Sequence, residues 1–128
     1  MSTTPHRVCF QLQLRPERIA EYRERHAAVW PSMLDAIEAA GRRNYSLFLR
    51  EDGLLIGYYE TDDDAASQAA LERNPATAPW EAEMAEFFLS AGGRPDQAAP
   101  RLTEVFNLED QLAASAQRTT PSTTEIEK

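Results

Sequence analysis

The stretch RNYSLFLREDGLLIGYYET, residues 43–61, decides the fold. Asp52-Gly53 divides two apolar runs, and that pair favours a tight turn because glycine accepts the positive φ such turns require. In the first run Tyr45 shares a face with Leu47 and Leu49, and LLIGYYET returns alongside it. Residues 43–61 therefore read as a β-hairpin in the middle of the chain.

Towards the N-terminus, RVCFQLQL at residues 7–14 alternates strictly. Val8, Phe10, Leu12 and Leu14 take one face, and Cys9, Gln11 and Gln13 the other, which predicts a strand with one apolar side. Pro16 suits the first position of a helix, because its missing N–H needs no partner there. That helix is expected to run amphipathically to about Ala40, with Gly41 as its stop. At about 100° per residue from Ile19, the side chains of Tyr22, His26, Trp30, Met33, Leu34 and Ile37 lie within about 60° of one direction. Glu17, Glu21, Glu24, Arg25, Asp35 and Glu38 point elsewhere; Arg23 is the exception.

Towards the C-terminus, Asp62 to Asp64 supply a cap and an acidic first turn for a second helix through about Arg73. Asn74-Pro75 breaks it. Pro79 then opens a further helix, PWEAEMAEFFLS, that stops before Gly92-Gly93. A loop with Pro95 and Pro100 leads to the last strand, RLTEVFNLE. From Gln111 onward the chain is rich in Ser, Thr and Ala without aromatics, so residues 111–128 are expected to be an unstructured tail behind a single domain of residues 1–110. The order is β-α-β-β-α-β, the ferredoxin-like or split βαβ class of α+β fold: a four-stranded antiparallel sheet with helices on one face. The uncovered sheet face predicts a homodimer packed sheet to sheet.

Composition narrows the function. The net charge of −8 argues against nucleic acid or an anionic membrane as partner, since both demand clustered Lys and Arg. A small neutral molecule fits best. With one cysteine and two histidines, neither an intrachain disulfide nor a Cys/His zinc site is expected, so no metal is assigned. The opening MSTTPHRVCFQLQLR has no apolar signal core, and a cytoplasmic location is expected. Dinucleotide, P-loop and nucleophile-elbow motifs are absent, so no cofactor is expected either.

His26 has two readings. On an apolar helix face it is a hydrogen-bonded core histidine, or a proton-transfer group walled by aromatic rings, with Tyr22 one turn away and Tyr45 facing it from a strand. Tyrosine rings offer a flat apolar wall with a hydroxyl handle, which suits a sugar ring. Trp80 packs the broken helix or lines that wall. Asp62 to Asp64 are better explained by helix capping than by metal binding, and Glu81, Glu83 and Glu86 by a solvated helix face.

The segments EYRERHAAVWPSM, NYSLFL, PWEAEM and LTEVFNL, in that order between about Arg7 and Leu108, closely resemble the L-rhamnose mutarotase family. The most specific piece is Tyr22-x-x-x-His26-x-x-x-Trp30-Pro31. The resemblance implies a dimeric α+β barrel without cofactor, with His26 as the acid/base residue and Tyr22, Tyr45 and Trp80 lining a monosaccharide site. His26 would protonate the ring oxygen while water or a tyrosine hydroxyl relays the other proton. Glu81 stands where family members often carry a second tryptophan, so it either alters a sugar contact or introduces a hydrogen-bonding carboxylate. Asn107 likewise replaces a common aromatic. A related 6-deoxy sugar such as L-fucose is an alternative substrate. A cofactor-free monooxygenase and a non-enzymatic sugar-binding module are the alternatives from other classes.

Overall fold

The computed structural model describes residues 5–89 and 99–117. Strand β1 (His6–Gln13) alternates as its sequence dictates, with Val8 and Phe10 buried between half-buried neighbours. The hairpin forms β2 (Arg42–Leu49) and β3 (Leu54–Thr61), and its turn places Gly53 at a φ of 97°. With Arg101–Leu102 as β4, the strands lie in the order β2-β3-β1-β4, and every neighbouring pair is antiparallel. The fold is α+β.

The even-numbered residues of β1 share the inner face of the sheet with Leu55 and Tyr59 of β3. Helices cover this face. Leu14 and Leu55 meet Tyr22, Met33, Trp80, Met84, Phe87 and Phe88 in the larger core cluster. A second cluster of Val8, Phe10 and Tyr59 lies further along the same strands, with Tyr45 against it.

The long first helix is a correction. A 3-10 turn, Pro16–Arg18, leads into α1 (Ile19–His26), and α2 (Pro31–Ala39) starts afresh after a break. Pro31 causes it. Its ring disfavours helical geometry in the preceding residue, and Trp30 is accordingly extended at φ −54° and ψ 134°. A single helical wheel therefore fails beyond His26. Tyr22 and Met33 are buried, but Leu34 is about half exposed and Trp30 reaches the surface.

Helix α3 (Asp64–Arg73) has Asp63 as its cap, the carboxylate accepting the Ala66 N–H at 3.0 Å. Helix α4 (Thr77–Ala85) begins two residues before Pro79 and ends well short of the expected stop. Burial of Phe87 and Phe88 draws the chain out of the helix and against the end of β1. There the Leu89 N–H donates to the Gln13 carbonyl at 2.9 Å, and the Arg15 N–H to that of Phe87 at 2.7 Å. The expected stop at Gly92-Gly93 and the loop through Pro95 lie outside the described residues.

The last strand is much shorter than its sequence suggests. Beyond Leu102 the chain has no pairing partner among the described residues, and Val105 is 89% exposed. The expected tail is also corrected in part, because α5 (Leu108–Gln117) is helical through Gln111 and beyond. Asn107 caps it, accepting the Asp110 N–H at 2.9 Å. Arg7 of β1 anchors this region through Glu104 at 2.8 Å and through Asp110. The rest of the expected tail lies outside the described residues. No helix among the described residues is long and apolar enough to cross a membrane.

Candidate active site

His26 is the last residue of α1, and the break that follows leaves its ring at the edge of a cavity instead of inside a continuous helix. The cavity holds about 650 Å³, between α2, the start of β2 and the first turn of α4. His26, Tyr45, Trp80 and Glu81 all line it. A smaller recess of about 60 Å³ adjoins, lined by those same four residues and by Tyr22. The five residues assigned to the site from the sequence, Tyr22, His26, Tyr45, Trp80 and Glu81, thus come to one place.

The geometry around His26 assigns its tautomer. Nδ1 lies 3.0 Å from the carbonyl oxygen of Tyr22, and a carbonyl can only accept, so Nδ1 carries the proton and donates it. In the neutral ring Nε2 is left with a lone pair, available for a proton from another molecule. Burial lowers the pKa of His26 from the ordinary histidine value, opposed by that backbone hydrogen bond. The ring is therefore neutral at neutral pH. The Tyr22 ring stacks on it at a centroid separation of 4.0 Å, and Trp80 meets it edge-on at 5.3 Å. Trp30 meets the other side of Trp80 at 5.0 Å, so the two tryptophans and the imidazole form a chain of rings. Burial, reinforced by the neighbouring Tyr45 and Glu81, pushes the Tyr22 hydroxyl far above the usual phenol value and keeps it a neutral donor.

Tyr45 reaches the site by a bulge in β2. Arg43 pairs with Glu60 and Ser46 with Tyr58, so three steps on β2 match two on β3. The extra residue has Asn44 at a φ of 56°. In a regular strand residues 42 and 45 would point to opposite faces. Here both line the cavity. Arg42 is buried, with Nε donating to Ser67 Oγ at 2.7 Å and its guanidinium 3.9 Å from the Tyr59 ring centroid. Sequence reading missed Arg42, and strict alternation hides it. It also missed Val29, in the break between α1 and α2, whereas Met33 and Ile37, read on the same face as His26, line the cavity.

Glu81 is a further correction. It was expected on a solvated helix face with Glu83 and Glu86, yet it is 6% exposed and is the one buried carboxylate among the described residues. Glu86 remains exposed and Glu83 is half-buried. Glu81 shares the buried face of α4 with Thr77, Trp80 and Met84, at i, i+3, i+4 and i+7 spacing.

Residues 7–108 match the family model for L-rhamnose mutarotase. The chain belongs to this family. It is 38% identical over 101 residues to an L-rhamnose mutarotase of Jannaschia sp. (strain CCS1), covering 77% of this chain and 94% of the relative. An L-rhamnose mutarotase of Rhizobium etli is 36% identical over 84 residues, with 65% of this chain and 78% of the relative covered. Among solved structures, an L-rhamnose mutarotase from Formosa agariphila superposes with a TM-score of 0.64 at 25% identity, covering 80% of this chain and 98% of that one.

Proposed function

We propose that this mutarotase-family protein interconverts the α and β anomers of L-rhamnose, with His26 as the proton carrier and Tyr22, Tyr45, Trp80 and Glu81 around the sugar. The observation that carries the reading is the tautomer of His26: a neutral imidazole with Nδ1 held by its own helix and Nε2 available at a cavity wide enough for a monosaccharide. Mutarotation opens the C1–O5 bond, lets C1 turn, and recloses the ring on the other face of the aldehyde. The anomeric hydroxyl loses a proton and the ring oxygen gains one; nothing is oxidised. A neutral imidazole begins as the acceptor, so His26 takes the anomeric proton first. This is the reverse of the order expected from the sequence, in which His26 protonates the ring oxygen. One placed general acid–base group contributes about 10²–10⁴-fold, and the slow spontaneous reaction needs little more. Trp80 stacks against the apolar C–H face and the C6 methyl of the sugar, and the tyrosine hydroxyls meet its polar groups.

The finer architecture belongs to the same proposal. The strand order and antiparallel pairing support a ferredoxin-like sheet. On its outer face Cys9, Ile56, Tyr58, Leu102 and a Phe48 that is 63% exposed support sheet-to-sheet packing of two copies into a barrel. A neutral monosaccharide substrate and a cytoplasmic location complete the reading. Sedimentation of Phe48→Glu as a monomer where the wild type is a dimer would support that packing; two monomeric proteins would refute it.

The activity is tested by proton NMR, saturating one H1 resonance of L-rhamnose and following the other. Transfer with the wild type that falls at least about 100-fold in His26→Ala, with the fold intact, supports reaction and residue together. Undiminished transfer in His26→Ala refutes the assignment. Transfer with L-fucose alone moves the substrate and keeps the chemistry.

A further inference from the structure

Mutarotation moves two protons, one at O1 and one at O5, and a neutral histidine serves only the first. A second group in the same cavity can serve the other. Three carboxylates line the main cavity, and two of them, Asp35 and Glu38, lie exposed on α2. Glu81 differs. It is buried on the first turns of α4, directly after Trp80, and lines both the cavity and the inner recess together with His26. The rest of the recess wall is mostly apolar, with Phe10, Leu47, Met84 and Phe88 among its residues.

We infer that Glu81 is the second catalytic residue of the proposed mutarotase reaction, exchanging a proton with the ring oxygen O5 while His26 exchanges one with O1. The inference rests on the mutarotase reading and extends it. The pair holds one proton between its two members. In the resting state His26 is neutral and the Glu81 carboxyl is protonated. On ring opening Nε2 takes the O1 proton as the C1–O5 bond breaks, and the carboxyl passes its proton to O5. This leaves imidazolium, carboxylate and the open-chain aldehyde. After C1 has turned, the C5 hydroxyl attacks it, the carboxylate recovers the O5 proton, and the imidazolium returns a proton to the former aldehyde oxygen. Both residues are back in their starting state, with no net gain or loss of protons or electrons.

The groups facing this pair are Tyr22 on α1, Asp35 and Glu38 on α2, and Arg42 and Tyr45 on β2. Arg42, the one cation among them, is held by Ser67 and Gln68 and stacked on Tyr59, so its charge is fixed in place. A one-proton pair gives a bell-shaped rate profile: the acid limb protonates His26 and the alkaline limb ionises Glu81.

The test compares anomer exchange of L-rhamnose across pH 5–9 (about two units either side of neutral) in the wild type, Glu81→Gln and Glu81→Asp. Glu81→Gln is expected to lower kcat at least about 100-fold with KM within about threefold, and to abolish the alkaline limb. Glu81→Asp, which keeps a carboxyl, should retain both limbs at a lower maximum, and it serves as the readout should the glutamine variant fail to fold. A Glu81→Gln enzyme with wild-type kcat overturns the inference. So does a raised KM at constant kcat, which would make Glu81 a binding contact, or an unchanged bell at reduced height, which would make it structural. Absence of exchange in the wild type with both L-rhamnose and L-fucose overturns the mutarotase reading itself, and is distinguishable from every outcome in which the wild type is active.

Discussion

Replacing Gly57 by alanine drives a methyl group into the ring of Phe10. Gly57 lies directly opposite Phe10 across the β1–β3 ladder, and the Phe10 ring lies flat over the space where a side chain would begin. A Cβ at Gly57 would lie 2.1 Å from Phe10 Cζ, and ordinary contact begins at about 3.4 Å, so the ring must retreat by at least about 1.3 Å. It has nowhere to go. Phe10 is buried, with Tyr45 edge-on at 6.3 Å and Tyr59 at 6.2 Å. Overpacking of this kind costs about 1–3 kcal/mol, and a flat ring struck by a backbone-borne atom belongs at the upper end. Removing a strand glycine returns about 0.5–1 kcal/mol. The net loss is about 2 kcal/mol, or about 8 °C in Tm for a chain of this size. Thermal unfolding followed by circular dichroism measures it. In a Phe10→Ala background the same glycine replacement should cost nothing or stabilise, because the obstructing ring is gone. An unchanged or raised Tm in the single variant, or equal costs in both backgrounds, would refute the reasoning.

Trp80→Ala should lose about 3–5 kcal/mol, since a buried indole is removed, and raise KM for L-rhamnose more than it lowers kcat; an unchanged KM removes Trp80 from the sugar site. Asp52 is held at a pKa of about 2 by its hydrogen bonds from Arg50 and then from the Leu54 N–H. Its folded value lies below the unfolded value, so its contribution to stability is complete above about pH 4 and lost as pH falls through about 2. Urea midpoints of the wild type should therefore fall more steeply than those of Asp52→Asn between those limits, and parallel curves would contradict this.

The parts of the fold that could be read from the sequence are those governed by short-range periodicity. Alternation in residues 7–14 placed β1, Asp52-Gly53 placed the hairpin turn, and Asp63 capped α3 as its position suggested. What escaped depends on competition between elements. Pro31 was read as part of a helical pattern, although its effect on Trp30 ends the earlier helix and creates the cavity wall. Phe87 and Phe88 looked helical until burial against β1 outweighed local preference. Asn107 followed by Leu108, Glu109 and Asp110 is a helix start, and the polar composition of the region obscured it. For the site, Tyr22, His26, Tyr45 and Trp80 were legible through spacing and family resemblance, while Arg42 was not, because nothing in β2 announces an extra residue.

That extra residue has an evolutionary consequence. A strand sorts its side chains by odd and even count, and the bulge at Asn44 and Tyr45 shifts the count by one. Substitutions change the wall of the cavity one group at a time. Loss of a single codon in this stretch would restore regular alternation and leave either Arg42 or Tyr45 on the inner face, never both. The composition of this pocket is thus set partly by the length of the gene, and a frame-preserving deletion can redraw it in one step that no point mutation reproduces.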